Sequence, residues 1–373
     1  MEPPLISVVM ANYNTDEGYL RCCIESILHQ THQHFEFIII DDCSVNNSLK
    51  VIQSYVDSRI ILLKNDSNHG ISYSVNRGLA TAKGKYIARM DSDDIAHPRR
   101  LELQVAFLES HPNIAAIAAR AQNFGDRKGL FACMETDPEK IKLALFFACA
   151  INNPSTMFRK TVVEEHHIVY NEEFSNGEDY LFWTNLVRVG SIYEYPKILM
   201  FYRRHSRQIS IYDRLRQIEM ANKVRAQWLN ELGITPTVAE LWMHYQLCVG
   251  SFRTVELPAE YHFSLEDLAQ WCKRLREQNE KAKLFINKLF VRTIAQRFML
   301  IVIKAVRAKE ARIAQALRLS FVRQYIDLSI LPLMIKYAIF SLRVNQKLVR
   351  PRRPPVYNRI GQQRRKNPSC TSM

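Results

Sequence analysis

The chain has 373 residues, 47% of them apolar, and carries 51 Lys and Arg against 37 Asp and Glu for a net charge of +14. The apolar share is that of an ordinary soluble globular protein, and the length allows two or three domains with a full core. Eight cysteines without a C-x-x-C pair, and an opening Met1-Glu2-Pro3-Pro4 that runs into a strand instead of a basic and apolar leader, speak for a reducing cytoplasm.

Residues 5–10 read as a strand of β-branched and apolar side chains, followed by the turn Ala11-Asn12-Tyr13-Asn14. Leu20, Ile24, Ile27 and Leu28 then repeat at helical spacing. Residues 35–40 form a strand ending in Asp41-Asp42-Cys43-Ser44, residues 49–55 a helix, and residues 60–63 another strand. Residues 72–82 are helical and lead through Gly84 to a strand over 85–90. This β-α-β-α-β-α-β alternation predicts an α/β fold: a doubly wound, mostly parallel sheet covered by helices. A helix over 99–110 follows, 113–200 mixes strands and helices, and 212–303 is almost wholly helical, a C-terminal helical extension.

The strand over 85–90 ends in Asp91-Ser92-Asp93-Asp94, and open α/β sheets place their ligands at the carboxyl ends of strands. Three carboxylates that close repel unless a cation or donors sit between them. Oxygen ligands at a turn suit a hard divalent ion, Mg²⁺ or Mn²⁺. The plainer alternative is an acidic surface turn, and the position after a strand argues against it. In a parallel sheet the ends at 11–14, 41–44 and 91–94 converge. Tyr13 there offers a face to a flat base, Asp42 can accept from a ring N–H, and the third turn can hold a metal.

Val8-Val9-Met10-Ala11-Asn12-Tyr13-Asn14, Ile38-Ile39-Ile40-Asp41-Asp42-Cys43-Ser44, Asn68-His69-Gly70, Asn76-Arg77-Gly78, Ala82-Lys83-Gly84-Lys85-Tyr86-Ile87 and Asp91-Ser92-Asp93-Asp94 resemble, in order, the motifs of family 2 glycosyltransferases, which have the GT-A fold. The resemblance implies nucleotide binding by Ala11, Tyr13, Asp42, Asn76 and Asp91, with Asp91 facing ribose and metal and Asp93 ligating Mn²⁺ or Mg²⁺. Met10-Ala11 stands where many relatives have Pro-Thr or Pro-Ala, which leaves Ala11 backbone contacts only. Glu178-Asp179 resembles the family's E-D motif at the start of a helix. Asp179 is then the expected base, with Glu178 as the alternate one residue earlier. Tyr202-Arg203-Arg204-His205-Ser206-Arg207-Gln208-Ile209-Ser210 resembles a Y-R-x-H-x-x-x-x-S segment, which implies His205 in the metal shell and Arg203 and Arg204 offsetting diphosphate charge. Asn152-Asn153-Pro154-Ser155-Thr156 looks like the acceptor-side loop, with asparagine where relatives often carry His.

The resemblance fades near residue 210 and divides the chain into a nucleotide-sugar half (1–105), an acceptor and catalytic half (106–211), a helical extension (212–303) and a basic tail (304–373). The tail holds sixteen Lys and Arg against Glu310 and Asp327, so the whole excess charge sits there. Its Leu328, Leu331, Ile335, Ile339 and Leu342 share a helical face. The expected partner is an anionic membrane surface, the alternative being that this face packs on the domain; no nucleic acid is expected. The apolar window 328–342 is shorter than the roughly 20 residues a spanning helix needs.

The expectation is therefore an inverting, metal-dependent enzyme, cytoplasmic and peripheral on the cytoplasmic face of the membrane. It takes a nucleotide-sugar donor, UDP-linked, and a glycan or lipid-linked glycan acceptor. The rival is a non-catalytic sugar-nucleotide or glycan-binding protein on a GT-A scaffold. A sugar nucleotidyltransferase would need a Gly-rich loop after the first strand, and none is there.

Overall fold

The computed structural model describes residues 3–131, 135–206, 208, 214–248 and 261–307. The first half runs β1 (Ile6–Asn12), α1 (Glu17–Leu28), β2 (Phe35–Asp41), α2 (Ser48–Gln53), β3 (Ile60–Lys64), α3 (Ile71–Thr81) and β4 (Tyr86–Asp91). β1 pairs in parallel with both β2 and β4, and β2 pairs in parallel with β3. Val8, Val9, Ile38, Ile39 and Ile40 are buried without alternation because both faces of these strands are covered, as parallel sheets require. Register then aligns the strand ends: Asn12 stands opposite Asp41, and Ala11 opposite Asp91. The convergence expected of the three acidic and polar turns follows from that register.

Gly84 shows how closely β4 is fed into the sheet. A Cβ there would lie 2.6 Å from the Ser7 nitrogen and 2.9 Å from the Ile6 carbonyl carbon, both backbone atoms that cannot rotate away. Gly84→Ala is expected to cost about 1–3 kcal/mol. A thermal melt checks this, and an unchanged Tm would contradict the close approach.

The second half adds β5 (Ile95–Ala96), α4 (Arg100–Ser110), β6 (Ile114–Gly125), β7 (Gly129–Leu130), α5 (Pro138–Phe147), β8 (Met157–Arg159), α6 (Lys160–Glu165), α7 (Glu178–Val189) and β9 (Ser191–Arg204). β8 is antiparallel to β4 and to β6, β9 is parallel to β6, and the order is β3-β2-β1-β4-β8-β6-β9-β5 with β7 on β6. The sheet is thus parallel on its nucleotide side and mixed beyond β4. Residues 95–98 contain a two-residue strand because the long β9 passes beside them, with Ile95 paired to Phe201.

Four helices follow: α8 (Arg214–Glu231), α9 (Val238–Cys248), α10 (Leu265–Ala282) and α11 (Asn287–Arg307). α10 opens with a capping box, Ser264 and Asp267 each accepting from the other's backbone N–H. The extension shares one apolar core with the sheet, running from Val9 through Trp183 and Trp228 to Val302. Phe146 sits at its junction, with ring centroids 4.9 Å from His244 and 5.2 Å from Phe285. The borders drawn after residues 105 and 303 fall inside α4 and α11, so these cuts divide continuous helices. The basic and amphipathic readings of the tail fall on residues from 308 onward, outside the described residues. Among the described residues no helix is long and apolar enough to cross a membrane.

Candidate active site

Asp91, which ends β4, and the three residues after it point to four different partners. The Asp91 carboxylate is 31% exposed and stands 3.5 Å from Arg89 Nη2. Ser92 Oγ lies 2.6 Å from Thr15 Oγ1, tying this turn to the one after β1. Asp93 Oδ2 lies 2.9 Å from His205 Nε2, and its backbone oxygen accepts from Arg203 Nε at 2.7 Å. Asp94 is fully buried and accepts from the Arg203 N–H at 2.7 Å. Burial and the neighbouring Asp93 charge push the Asp94 carboxyl well up. For Asp91 burial also raises the pKa, opposed by Arg89 and reinforced by Asp93. Asp94 therefore shapes the turn, while Asp91 and Asp93 are its less buried acids.

β9 makes this meeting possible. Its pairing with β5 carries Arg203, Arg204 and His205 alongside Asp93 and Asp94, more than a hundred residues away in sequence. Among the described residues no three His, Cys, Asp or Glu side chains form a ready metal cage. The Asp93–His205 pair nevertheless fits a divalent ion: one carboxylate oxygen and one imidazole nitrogen already face each other at bonding distance. An ion held there would draw its other ligands from diphosphate and water, as Mg²⁺ sites with few protein ligands do.

On the nucleotide side Tyr13 is 49% exposed at the end of β1, available to stack. Asn12 beneath it donates to Asp41 Oδ1 (2.7 Å), Ser44 Oγ (3.1 Å) and Ser48 Oγ (3.1 Å), binding the first two turns together. Asp42 accepts from Asn65 Nδ2 (2.6 Å), the His69 N–H (3.0 Å) and the Gly70 N–H (2.8 Å). A carboxylate has about four acceptor sites, so one remains on a side chain that is only 3% exposed. Gly70 can present its N–H because its φ of +90° suits glycine. Asn14 (φ 52°), Cys43 (φ 60°) and Asn176 (φ 71°) also take left-handed backbone, in the loops after β1, after β2 and before α7.

Asn76 is engaged by backbone: its amide donates to the Tyr170 carbonyl (2.7 Å) and accepts from the Tyr170 N–H (2.9 Å). These bonds fasten α3 to the segment before α7.

A cleft of about 580 Å³ opens beside this turn, lined by Cys149, Ile151, Asp179, Tyr202, His205, Arg225 and Tyr245 among others. Asp179, Arg204 and His205 share it, while Glu178, Ala11, Tyr13, Asp42, Asp91 and Asp93 do not line it. Asp179 is held at the start of α7: Oδ1 accepts from the Tyr180 N–H at 2.7 Å, and the Cys149 thiol points at Oδ2 from 3.8 Å. Burial raises its pKa, with the Tyr180 N–H pulling the other way. Glu178 is pushed up to about 7 by burial and then by Asp179, and its Oε2 is buried without a hydrogen bond. Of the two acids only Asp179 faces space where an acceptor hydroxyl can stand. The loop over 152–156 is mostly buried: Gln104 Nε2 donates to the Ser155 carbonyl (2.7 Å) and Arg100 Nη2 to that of Thr156 (2.9 Å). It braces the sheet, and Ile151 just before it is what reaches the cleft.

A family sequence model described as "Glycosyl transferase family 2" matches residues 7–166. A glycosyltransferase of Haemophilus influenzae is 33% identical over 247 residues, 62% of this chain and 76% of the relative. The chain belongs to glycosyl transferase family 2. A teichuronic acid biosynthesis glycosyltransferase of Bacillus subtilis, TuaG, is 37% identical over 107 residues, 28% of this chain and 42% of that one. The crystal structure of S. aureus TarS 1–349 in complex with UDP-GlcNAc superposes with a TM-score of 0.57 at 16% identity, covering 82% of this chain and 92% of that one. That likeness establishes the GT-A fold.

The extension of this family 2 glycosyltransferase forms one wall of the cleft. Gln217, Ile218, Ala221 and Arg225 of α8 and Tyr245 of α9 line it, although the recognisable motifs end near residue 210. Arg225 is buried and donates to the Phe147 carbonyl at 2.8 Å. Amphipathic spacing in α8 marks a helix but not which neighbour it covers, so this wall had no signal in the sequence. Arg89 did have one, as a charge inside the otherwise apolar β4. Cys23, Cys43, Cys149, Cys248 and Cys272 are free thiols, whereas Cys22 is disulfide-bonded.

Proposed function

We propose that this glycosyltransferase moves a sugar from a UDP-linked donor to a hydroxyl of a glycan or lipid-linked glycan, with inversion at the anomeric carbon, in surface polysaccharide or glycoconjugate synthesis. The observation that carries this reading is the shared cleft of Asp179 and His205, the latter paired with Asp93. Asp179 takes the proton of the acceptor hydroxyl on Oδ2, since Oδ1 is held by the Tyr180 N–H. The acceptor oxygen bonds to the anomeric carbon as the sugar–phosphate bond breaks, and the diphosphate leaves with the electron pair. Arg203, oriented by Asp93 and Asp94, and Arg204 offset its charge. Mn²⁺ or Mg²⁺ bound by Asp93 and His205 would supply the remaining positive charge. The names of TuaG and of TarS with UDP-GlcNAc support the polysaccharide and UDP parts of this reading. Incubation with a panel of nucleotide sugars and Mn²⁺, read by mass spectrometry, tests it. Hydrolysis of a UDP-sugar is the expected result, and saturable binding of every donor without turnover would favour a non-catalytic binding protein.

The basic tail is proposed to hold the enzyme on an anionic membrane from the cytoplasmic side. The full chain should sediment with anionic liposomes and be released as salt rises, because screening shortens from about 10 Å at 0.1 M to about 3 Å at 1 M. A chain ending at Arg307, where α11 ends, should stay in solution. Binding that ignores salt, or equal binding to neutral liposomes, would overturn the proposal.

A further inference from the structure

Arg89 is fully buried in the middle of β4. Alternation along the strand places Tyr86, Ala88 and Met90 in the core under α1 and α4, and Ile87 in the other core, which includes Tyr170 and the Phe182–Trp183 segment of α7. Arg89 shares that second face. Its Nη1 donates to the Val9 carbonyl at 2.6 Å, Nη2 stands 3.5 Å from Asp91 Oδ1, and its guanidinium carbon lies 5.7 Å from the centre of the Tyr170 ring. Tyr170 is stacked at 4.3 Å on Phe182, in the second turn of α7. Nε and Nη2 make no hydrogen bond.

A buried guanidinium is costly unless opposite charge stands near it. Arg100, also buried and eleven residues on, donates to the Arg89 and Thr156 carbonyls and Gln104 Oε1, with the Asp94 charge near by. Arg89 has one carbonyl, and its other neighbours are the Asp91 carboxylate and the Tyr170 ring. It draws down the pKa of Asp91 and of Asp179, against the burial that raises both. One lies at the end of its own strand and the other at the head of α7. An anchor for the Val9 carbonyl alone needs only a neutral donor, so the charge calls for another reason.

We propose that Arg89 is a positioning residue for sugar transfer: its buried guanidinium pairs with Asp91 on the donor side and, across the Tyr170 ring stacked on Phe182, braces the start of α7, which carries Asp179 on the acceptor side. This rests on Asp179 being the base. The test is a double-mutant cycle in the full chain, with Arg89→Gln, which keeps a neutral donor, and Arg89→Lys, which keeps the charge. Each is measured alone and on Asp179→Asn, with thermal melts to count folded protein.

Arg89→Gln is expected to lower kcat per folded molecule about 10–100-fold, as misplacing a reacting group does. Arg89→Lys should recover most of that loss. On Asp179→Asn, where the group served is already gone, Arg89→Gln should cost less than about 3-fold. If Arg89→Gln costs the same factor in both backgrounds, or nothing in either, the proposal fails while the base assignment stands. If Asp179→Asn alone stays active, the base assignment fails and takes the proposal with it. Should Arg89→Gln not fold, the cycle is run with Arg89→Lys, whose shorter reach predicts a smaller loss with the same non-additivity.

Discussion

Asp179→Asn is expected to cut kcat by about 10² or more while leaving donor affinity within a few-fold. The substitution keeps the size of the side chain and an oxygen for the Tyr180 N–H, and removes only the capacity to take a proton. Burial raises the Asp179 pKa above its usual 3.8, so the acid limb of kcat should lie above the range of an exposed aspartate and vanish in the variant. The same shift fixes a sign for stability. A carboxyl whose pKa is higher folded than unfolded favours the folded state when protonated, and that advantage is lost as pH rises from 3.8 through the folded value. Above 3.8 Asp179 therefore weakens the fold, and Asp179→Asn should melt no earlier than the parent. A less active and no less stable variant is the mark of a functional carboxylate. If Asp179→Asn stays active and Glu178→Gln is dead, the base is the buried neighbour, and the cleft is not where the acceptor stands. If both stay active, an inverting mechanism with a carboxylate base here is wrong.

The nucleotide half was legible because local rules and topology agree there. Each strand is short, apolar and followed by a helix, which forces parallel pairing and brings the turns after Asn12, Asp41 and Asp91 to one edge. The acceptor half was less legible. β8 and β5 are three and two residues long, too short for a pattern, and both pair antiparallel. The Asp93–His205 contact was expected only through the motif resemblance, since no spacing rule connects residues 112 positions apart. Motif position says nothing of which way the Asn76 amide is used. Here the Tyr170 backbone claims both of its ends. The wall made by α8 and α9 was hidden for a further reason: Arg225 and Tyr245 reach the cleft by where their helices pack, which the apolar stripe of a helix does not specify.

Asp93→Ala is expected to abolish donor hydrolysis, and removal of Mn²⁺ and Mg²⁺ by a chelator should do the same to the parent. The three acids at this turn differ enough for the loss to be assigned. Asp94 accepts from the Arg203 N–H and is shut away from solvent, so Asp94→Asn should show itself in the melt and leave the Mn²⁺ titration midpoint nearly in place. Asp91 is paired with Arg89 and is expected to change donor affinity. Asp93 alone of the three reaches His205, and its alanine variant keeps the backbone oxygen that holds Arg203 Nε. The variant thus loses the carboxylate without losing the arginine, which separates the metal from the guanidinium as the source of charge on the diphosphate. His205→Ala removes the second ligand and should weaken Mn²⁺ binding by about 10–100-fold, a loss that higher Mn²⁺ partly restores. Metal binding itself can be read by electron paramagnetic resonance of Mn²⁺, without turnover. Full activity in excess chelator, or Mn²⁺ bound as tightly by Asp93→Ala as by the parent, would remove the metal from this site and leave Arg203 and Arg204 to stabilise the leaving group on their own.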